Sequence, residues 1–188
     1  MTNFRVVTSE PVVDRGWFTL DRITVEGPDG ARFEREALRH PGAVDVVAVH
    51  DDRTVSMVRQ FRAALDREVL EVVAGRRDVD GEDPERTAAR ELAEEVGLSA
   101  GMWVKLTEFH NSVGITDELS FVFLAQDLEP LPADDRQGPE EQHMVVERIA
   151  LDDVDRLIAT GEIHDGKSII ALLLARDFLD GRYAGWQQ

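Results

Sequence analysis

Glu91, Glu94 and Glu95 stand at i, i+3 and i+4 within EDPERTAARELAEEVGL, residues 82–98. In a helix that spacing gathers three carboxylates, and like charges so placed repel by roughly 0.2–0.5 kcal/mol per pair. Glu94 and Glu95 also fall in the last turn, where the negative end of the helix dipole disfavours them. Folding gains nothing from this arrangement, whereas a divalent cation does. Hard carboxylate oxygens hold magnesium or manganese, which make water nucleophilic near neutral pH and neutralise phosphoryl oxygens. Glu91 and Glu95, one turn apart with an axial rise of about 6 Å, can point at one ion or at neighbouring ions. Glu94 is then a third ligand or a partner behind them.

The elements that must position these groups are readable too. Asp83 and Pro84 have the form of an N-cap followed by proline at the first helical position, and Gly97 that of a C-terminal stop. Ala89, Leu92, Ala93 and Val96 have helical spacing and predict the buried stripe. Upstream, FRVVTSEPVVD, WFTLDRITVEG and ARFEREALRH read as strands, with Pro28-Asp29-Gly30 as a turn. From Ala43 the runs AVDVVAVH, TVSMVRQF and EVLEVVAG are more apolar, as in a buried sheet. After the acidic helix come MWVKLTEFHN, ELSFVFLAQDL and HMVVERIAL, then helices expected at 151–160 and 167–180. EPLPADDRQGPEEQ, from Glu129 to Gln142, reads as a loop. This order predicts an α+β fold, a mixed sheet with helices on its faces, divided into a small N-terminal antiparallel β subdomain (1–42) and a main domain (43–188).

The chain has 188 residues, 43% hydrophobic and 31% charged, as expected of a soluble globular protein. The net charge of −17 argues against a nucleic-acid partner, whose binding rests on lysine and arginine. The longest apolar run, Ile169 to Ala175, is far shorter than the ~20 residues of a membrane helix. MTNFRVVTSE lacks the basic-then-apolar pattern of a secretion signal, and no cysteine is present, so a cytoplasmic location is expected.

Glu82, then Arg90-Glu91-Leu92, Glu94-Glu95 and Gly97-Leu98 resemble the signature of the Nudix hydrolases. Six polar or glycine positions match, each at about one in ten, so a chance window matches about once in a million. Gly75 and Glu82 are separated by RRDVDG, one residue more than in that family. Arg59-Gln60-Phe61-Arg62, the strand ending Glu71-Val72-Val73-Ala74-Gly75, Ser112 to Glu118 and Asp165-Gly166-Lys167-Ser168 resemble its ADP-ribose pyrophosphatase branch. One position departs: the branch has proline before a loop glycine where this chain has Val113, which does not preset φ.

The resemblance implies a Nudix-type α/β/α sandwich that cleaves ADP-ribose to AMP and ribose 5-phosphate with two or more Mg2+ or Mn2+ ions. It implies the Ala74 carbonyl as a ligand beside Glu91, Glu94 and Glu95, with Arg90 orienting the glutamates through its rigid fork. Glu82 sits at the edge of the metal site or supports the loop before the helix. The catalytic base is expected in the acidic loop after this signature, Glu141 first and Glu140 second; His143 could serve as a base by residue type but opens a strand. Arg62 is the candidate cation for the diphosphate, its alternative being a surface arginine at a strand end. Trp17, Phe18 or Phe33 can stack on adenine, or belong to the core. The resemblance further implies a homodimer with exchanged N-terminal strands, no nucleic-acid or membrane partner, and a nucleoside diphosphate small molecule as substrate. Val113 keeps open another such compound, a nucleotide sugar or a dinucleotide; a non-catalytic binding module is a third reading.

Gly161-Glu162-Ile163-His164-Asp165-Gly166-Lys167-Ser168 also fits the phosphate-loop pattern of nucleoside triphosphatases. That mechanism needs a buried strand before the loop. LDDVDRLIAT precedes it instead, with helical spacing, so Gly161 is expected to end one helix and Lys167-Ser168 to begin the next.

Overall fold

The first forty residues form three strands, β1 (Arg5–Asp14), β2 (Thr19–Glu26) and β3 (Arg32–Arg39), paired antiparallel in that order. The computed structural model describes residues 3–131 and 143–186. The turn from β2 to β3 depends on Gly30, whose φ of 79° is open to glycine, while Asp29 Oδ1 accepts from Ala31 N–H at 3.1 Å. Ion pairs cross this sheet: Glu26 takes Arg5 at 2.7 Å and Arg32 at 3.0 Å.

Residues Met1–Gly42 and Phe109–Leu119 form one compact unit, and Ala43–Glu108 with Ser120–Gln188 another. In the first, the loop after residue 110 is tied to the end of β3. Asp117 accepts from Arg39 at 3.1 Å and from the His40 N–H at 3.0 Å. Val113 lies on this loop, 82% exposed.

Among the described residues the second unit is built on six strands. These are β4 (Ala43–Val49), β5 (Thr54–Arg62), β6 (Arg67–Arg76), β7 (Leu98–His110), β8 (Leu119–Pro130) and β9 (Val145–Ala150), in the order β7-β8-β4-β6-β5-β9. β4 runs parallel to β8 and antiparallel to β6, so the sheet is mixed. Every residue of β4 is buried, which is why its sequence shows no alternation: both faces are covered. Ala88 and Leu92 of α1 (Pro84–Val96) pack on Val44, Val46, Ala48, Val73 and Phe123. The other β4 side chains point the opposite way by the pleat, and α3 (Gly166–Leu179) packs against β4 and β6.

β6 changes partners along its length. Its residues up to Val72 pair with β5, and from Val73 onward with β4. The strand therefore crosses a fork in the sheet directly before Ala74 and Gly75.

The C-terminal helices differ slightly from expectation. Leu151–Asp153 is a 3-10 turn, and the α-helix proper, α2, is Val154–Ala159. Gly161, at φ 76°, follows its end, and α3 starts after an Asp165 cap. No strand leads into the GEIHDGKS segment, so it does not form a phosphate loop. Among the described residues no helix is long and apolar enough to cross a membrane.

Candidate active site

α1 starts and stops where its sequence indicates. The Asp83 side chain accepts the Glu85 N–H at 2.9 Å, Pro84 opens the first turn, and Gly97 takes the left-handed conformation at φ 67°. The buried stripe departs from expectation by about one residue. Thr87, Ala88, Leu92 and Glu95 are buried, whereas Ala89 is exposed. Alanine is cheap on a surface, and Glu95 gains a partner that repays its burial: its Oε2 accepts from the Ala74 N–H at 3.2 Å.

Glu91 reaches the same strand one residue on. A Cβ built on Gly75 falls 1.9 Å from Glu91 Cδ, so only glycine leaves room for this carboxylate against β6. Glu91 and Glu95 thus meet the Ala74–Gly75 main chain from α1, as their spacing of one turn allows.

Arg90 stands at the centre of the remaining acids. It reaches Glu91 at 2.8 Å, Glu94 at 3.0 Å, Asp78 at 3.2 Å and Glu82 at 3.7 Å. Four carboxylates and one guanidinium leave a formal local charge of −3, which Glu95 increases. Burial pushes the Glu91 carboxyl up to about 7; Arg90 opposes this, and Glu94 and Asp78 add to it. A divalent cation offsets such a charge. Among the described residues no three His, Asp or Glu side chains form a cation site by themselves. A mixed donor set is at hand, the Glu91 and Glu95 carboxylates beside the Ala74–Gly75 main chain with its carbonyls. All are hard oxygens of the kind magnesium and manganese take.

Glu82 does have a local structural task, because it accepts from the Thr87 hydroxyl at 2.9 Å while standing near Arg90. Arg62, expected as a cation for phosphate, is bound by two hydrogen bonds to Glu71, at 2.7 and 3.1 Å. Glu71 is 3% exposed. The Arg62 pKa is raised: burial opposes the charge, but Glu71, Glu95 and Asp165 outweigh it.

Trp17 lies in the N-terminal unit, 47% exposed, its ring edge-on to Phe18 at 4.4 Å and His40 at 5.7 Å. Phe33 carries the Arg35 guanidinium over its ring. Glu140 and Glu141 lie outside the described residues; His143 is exposed. Two acids that motif spacing does not single out join the site, Asp78 on Arg90 and Glu71 on Arg62. Glu71 sits in the EVVAG strand already marked by resemblance, whereas nothing in the sequence distinguishes Asp78 from its acidic neighbours.

Comparison with known proteins gives consistent results. A family model described as the NUDIX domain matches residues 39–172. An ADP-ribose pyrophosphatase of Bacillus subtilis (strain 168) is 41% identical over 148 residues, covering 79% of this chain and 79% of that protein. An ADP-ribose pyrophosphatase of Mycobacterium tuberculosis (strain ATCC 25618 / H37Rv) is 36% identical over 171 residues, covering 91% and 82%. A crystal structure described as an ADP compounds hydrolase superposes with a TM-score of 0.83 at 25% identity, covering 95% of each chain.

Proposed function

Since the chain belongs to the NUDIX family, we propose that it is a metal-dependent pyrophosphohydrolase that cleaves ADP-ribose to AMP and ribose 5-phosphate. The observation that carries this reading is the convergence of Glu91 and Glu95 on Ala74–Gly75, beside the Arg90 cluster. Glu91, Glu95 and the Ala74 carbonyl would hold the cation, with Glu94 as a further ligand or partner. When bound, a Mg2+ or Mn2+ ion supplies a nucleophilic water and neutralises charge on the diphosphate.

The chain's own residues do the rest. Arg90 keeps the glutamates apart and oriented, its planar fork serving several carboxylates at once. Arg62, held by Glu71, is the cation that would meet the diphosphate. Removal of a proton from the attacking water falls to Glu141, or to Glu140. Trp17 offers an exposed aromatic surface suited to adenine. The protein acts in the cytoplasm as a homodimer on a small nucleoside diphosphate.

Release of AMP from ADP-ribose, measured with and without magnesium for the parent and Glu95→Gln, tests this. The parent is expected to turn over only with the cation, and the variant to lose at least about 100-fold. No turnover of ADP-ribose by the parent, with turnover of a nucleotide sugar, would reassign the substrate. Undiminished turnover in Glu95→Gln would remove the carboxylate mechanism.

A further inference from the structure

The start of α3 is tied to the same strand as the acidic helix. Ser168, fully buried, accepts the Val72 N–H at 3.0 Å through its Oγ. Two residues on, the Ala74 N–H donates to Glu95 at 3.2 Å. Alternate N–H groups of a strand point to the same side, so both side chains grip one edge of β6, at the fork where its partner changes from β5 to β4.

The direction of the Ser168 hydroxyl is fixed from behind. Its O–H donates to Asp165 Oδ2 at 2.8 Å, which leaves only lone pairs for the Val72 N–H. Asp165 Oδ2 also accepts the Ser168 N–H at 2.9 Å, and its Oδ1 takes Lys167 Nζ at 2.9 Å. Burial opposes the Lys167 charge, but Asp165, with smaller contributions from Asp45 and Glu71, raises its pKa. A cation, a carboxylate, a hydroxyl and a main-chain N–H thus form one chain ending two residues short of the atoms Glu95 holds.

We propose that Ser168, set by Asp165 and Lys167, is a positioning residue for cation binding, fixing the Val72–Gly75 main chain against which Glu91 and Glu95 are placed. The inference rests on the carboxylate reading of the cation site given above. Ser168 touches neither cation nor substrate and acts only through β6. It also gives the DGKS segment a task that its phosphate-loop spelling conceals.

Mn2+ alone, titrated into the full chain and read by electron paramagnetic resonance without substrate, tests it. Ser168→Ala is expected to bind Mn2+ about 10- to 100-fold more weakly, and Ser168→Thr, which keeps the hydroxyl, within about threefold of the parent. A purely structural role would lower the melting temperature in chelator and leave Mn2+ affinity unchanged; that result in folded Ser168→Ala overturns the inference, as does a folded Ser168→Thr that fails to recover. If Ser168→Ala does not fold, hydrogen exchange in the parent decides. Saturation with Mn2+ is expected to slow the Val72 and Ala74 amides together, and slowing of Ala74 alone overturns the inference. Glu95→Gln separates the two readings: parent-like Mn2+ binding there overturns the cation site and this inference with it.

Discussion

Gly75→Ala should damage activity far more than stability. The added Cβ would lie 1.9 Å from Glu91 Cδ and 2.2 Å from its Oε1, where ordinary contact begins near 3.4 Å, so the carboxyl must withdraw by about 1.5 Å. Gly75 is not among the positive-φ glycines, so alanine suits its backbone. The group that yields is the end of a flexible side chain, and the unfolded chain loses entropy, so net stability is expected to change by no more than about 1 kcal/mol. Misplacement of a reactive group by about 1 Å can cost on the order of 100-fold in rate. The expected result is a melting temperature in chelator close to the parent's, with kcat/KM for ADP-ribose about 100-fold lower and a higher magnesium requirement. Gly75→Ser should behave alike, since any Cβ has the same conflict. Parent-like kcat/KM in Gly75→Ala at limiting magnesium would refute the placement of Glu91 in the cation site.

Arg62→Ala strips Glu71, 3% exposed, of two hydrogen bonds and should cost about 2–3 kcal/mol in urea unfolding, less than for a fully buried pair because Arg62 is partly exposed. Adding Glu71→Gln should recover most of that stability while KM for ADP-ribose stays raised; a KM back at the parent value would remove Arg62 from diphosphate binding. His50, bonded to Ser56 at 2.8 Å, has its pKa lowered by burial and by Arg148. The unfolded chain then binds the proton more readily, so stability is full above the unfolded value near 6.5 and falls as pH drops through the lowered folded value. In His50→Gln the unfolding midpoint should lose this part of its pH slope; an unchanged slope would show that His50 is not its source.

Local signals carried the sequence reading furthest. Asp83, Pro84 and Gly97 mark both ends of α1 because capping is a matter of a few adjacent residues, and the apolar density of β4 announces a strand covered on both faces. The face of α1 was harder to read. Hydropathy favours burying Ala89 and exposing Glu95, yet Glu95 is buried because the Ala74 N–H comes from another element to meet it. The Arg62–Glu71 pair was hidden for a similar reason. In the β5–β6 register Glu71 sits opposite Val58, so only the reach of an arginine along the strands brings the charges together. Ser168 was legible as part of a helix start, but its bond to Val72 depends on the sheet fork, which pairing alone reveals.

The cap at Asp83 serves α1 as a datum from which rotation is measured. The loop RRDVDG carries its extra residue ahead of that point, so the surplus is absorbed before the first turn and the carboxylates keep their heading. One residue inserted after Pro84 would turn everything beyond it by about 100°. Glu95 would swing off β6 with Glu94 taking its bearing, and Arg90 would take that of Glu91. An added residue ahead of Asp83 therefore leaves the heading of α1 intact, while the other side tolerates none, and α1 passes straight into β7 at Leu98 without slack to correct an error.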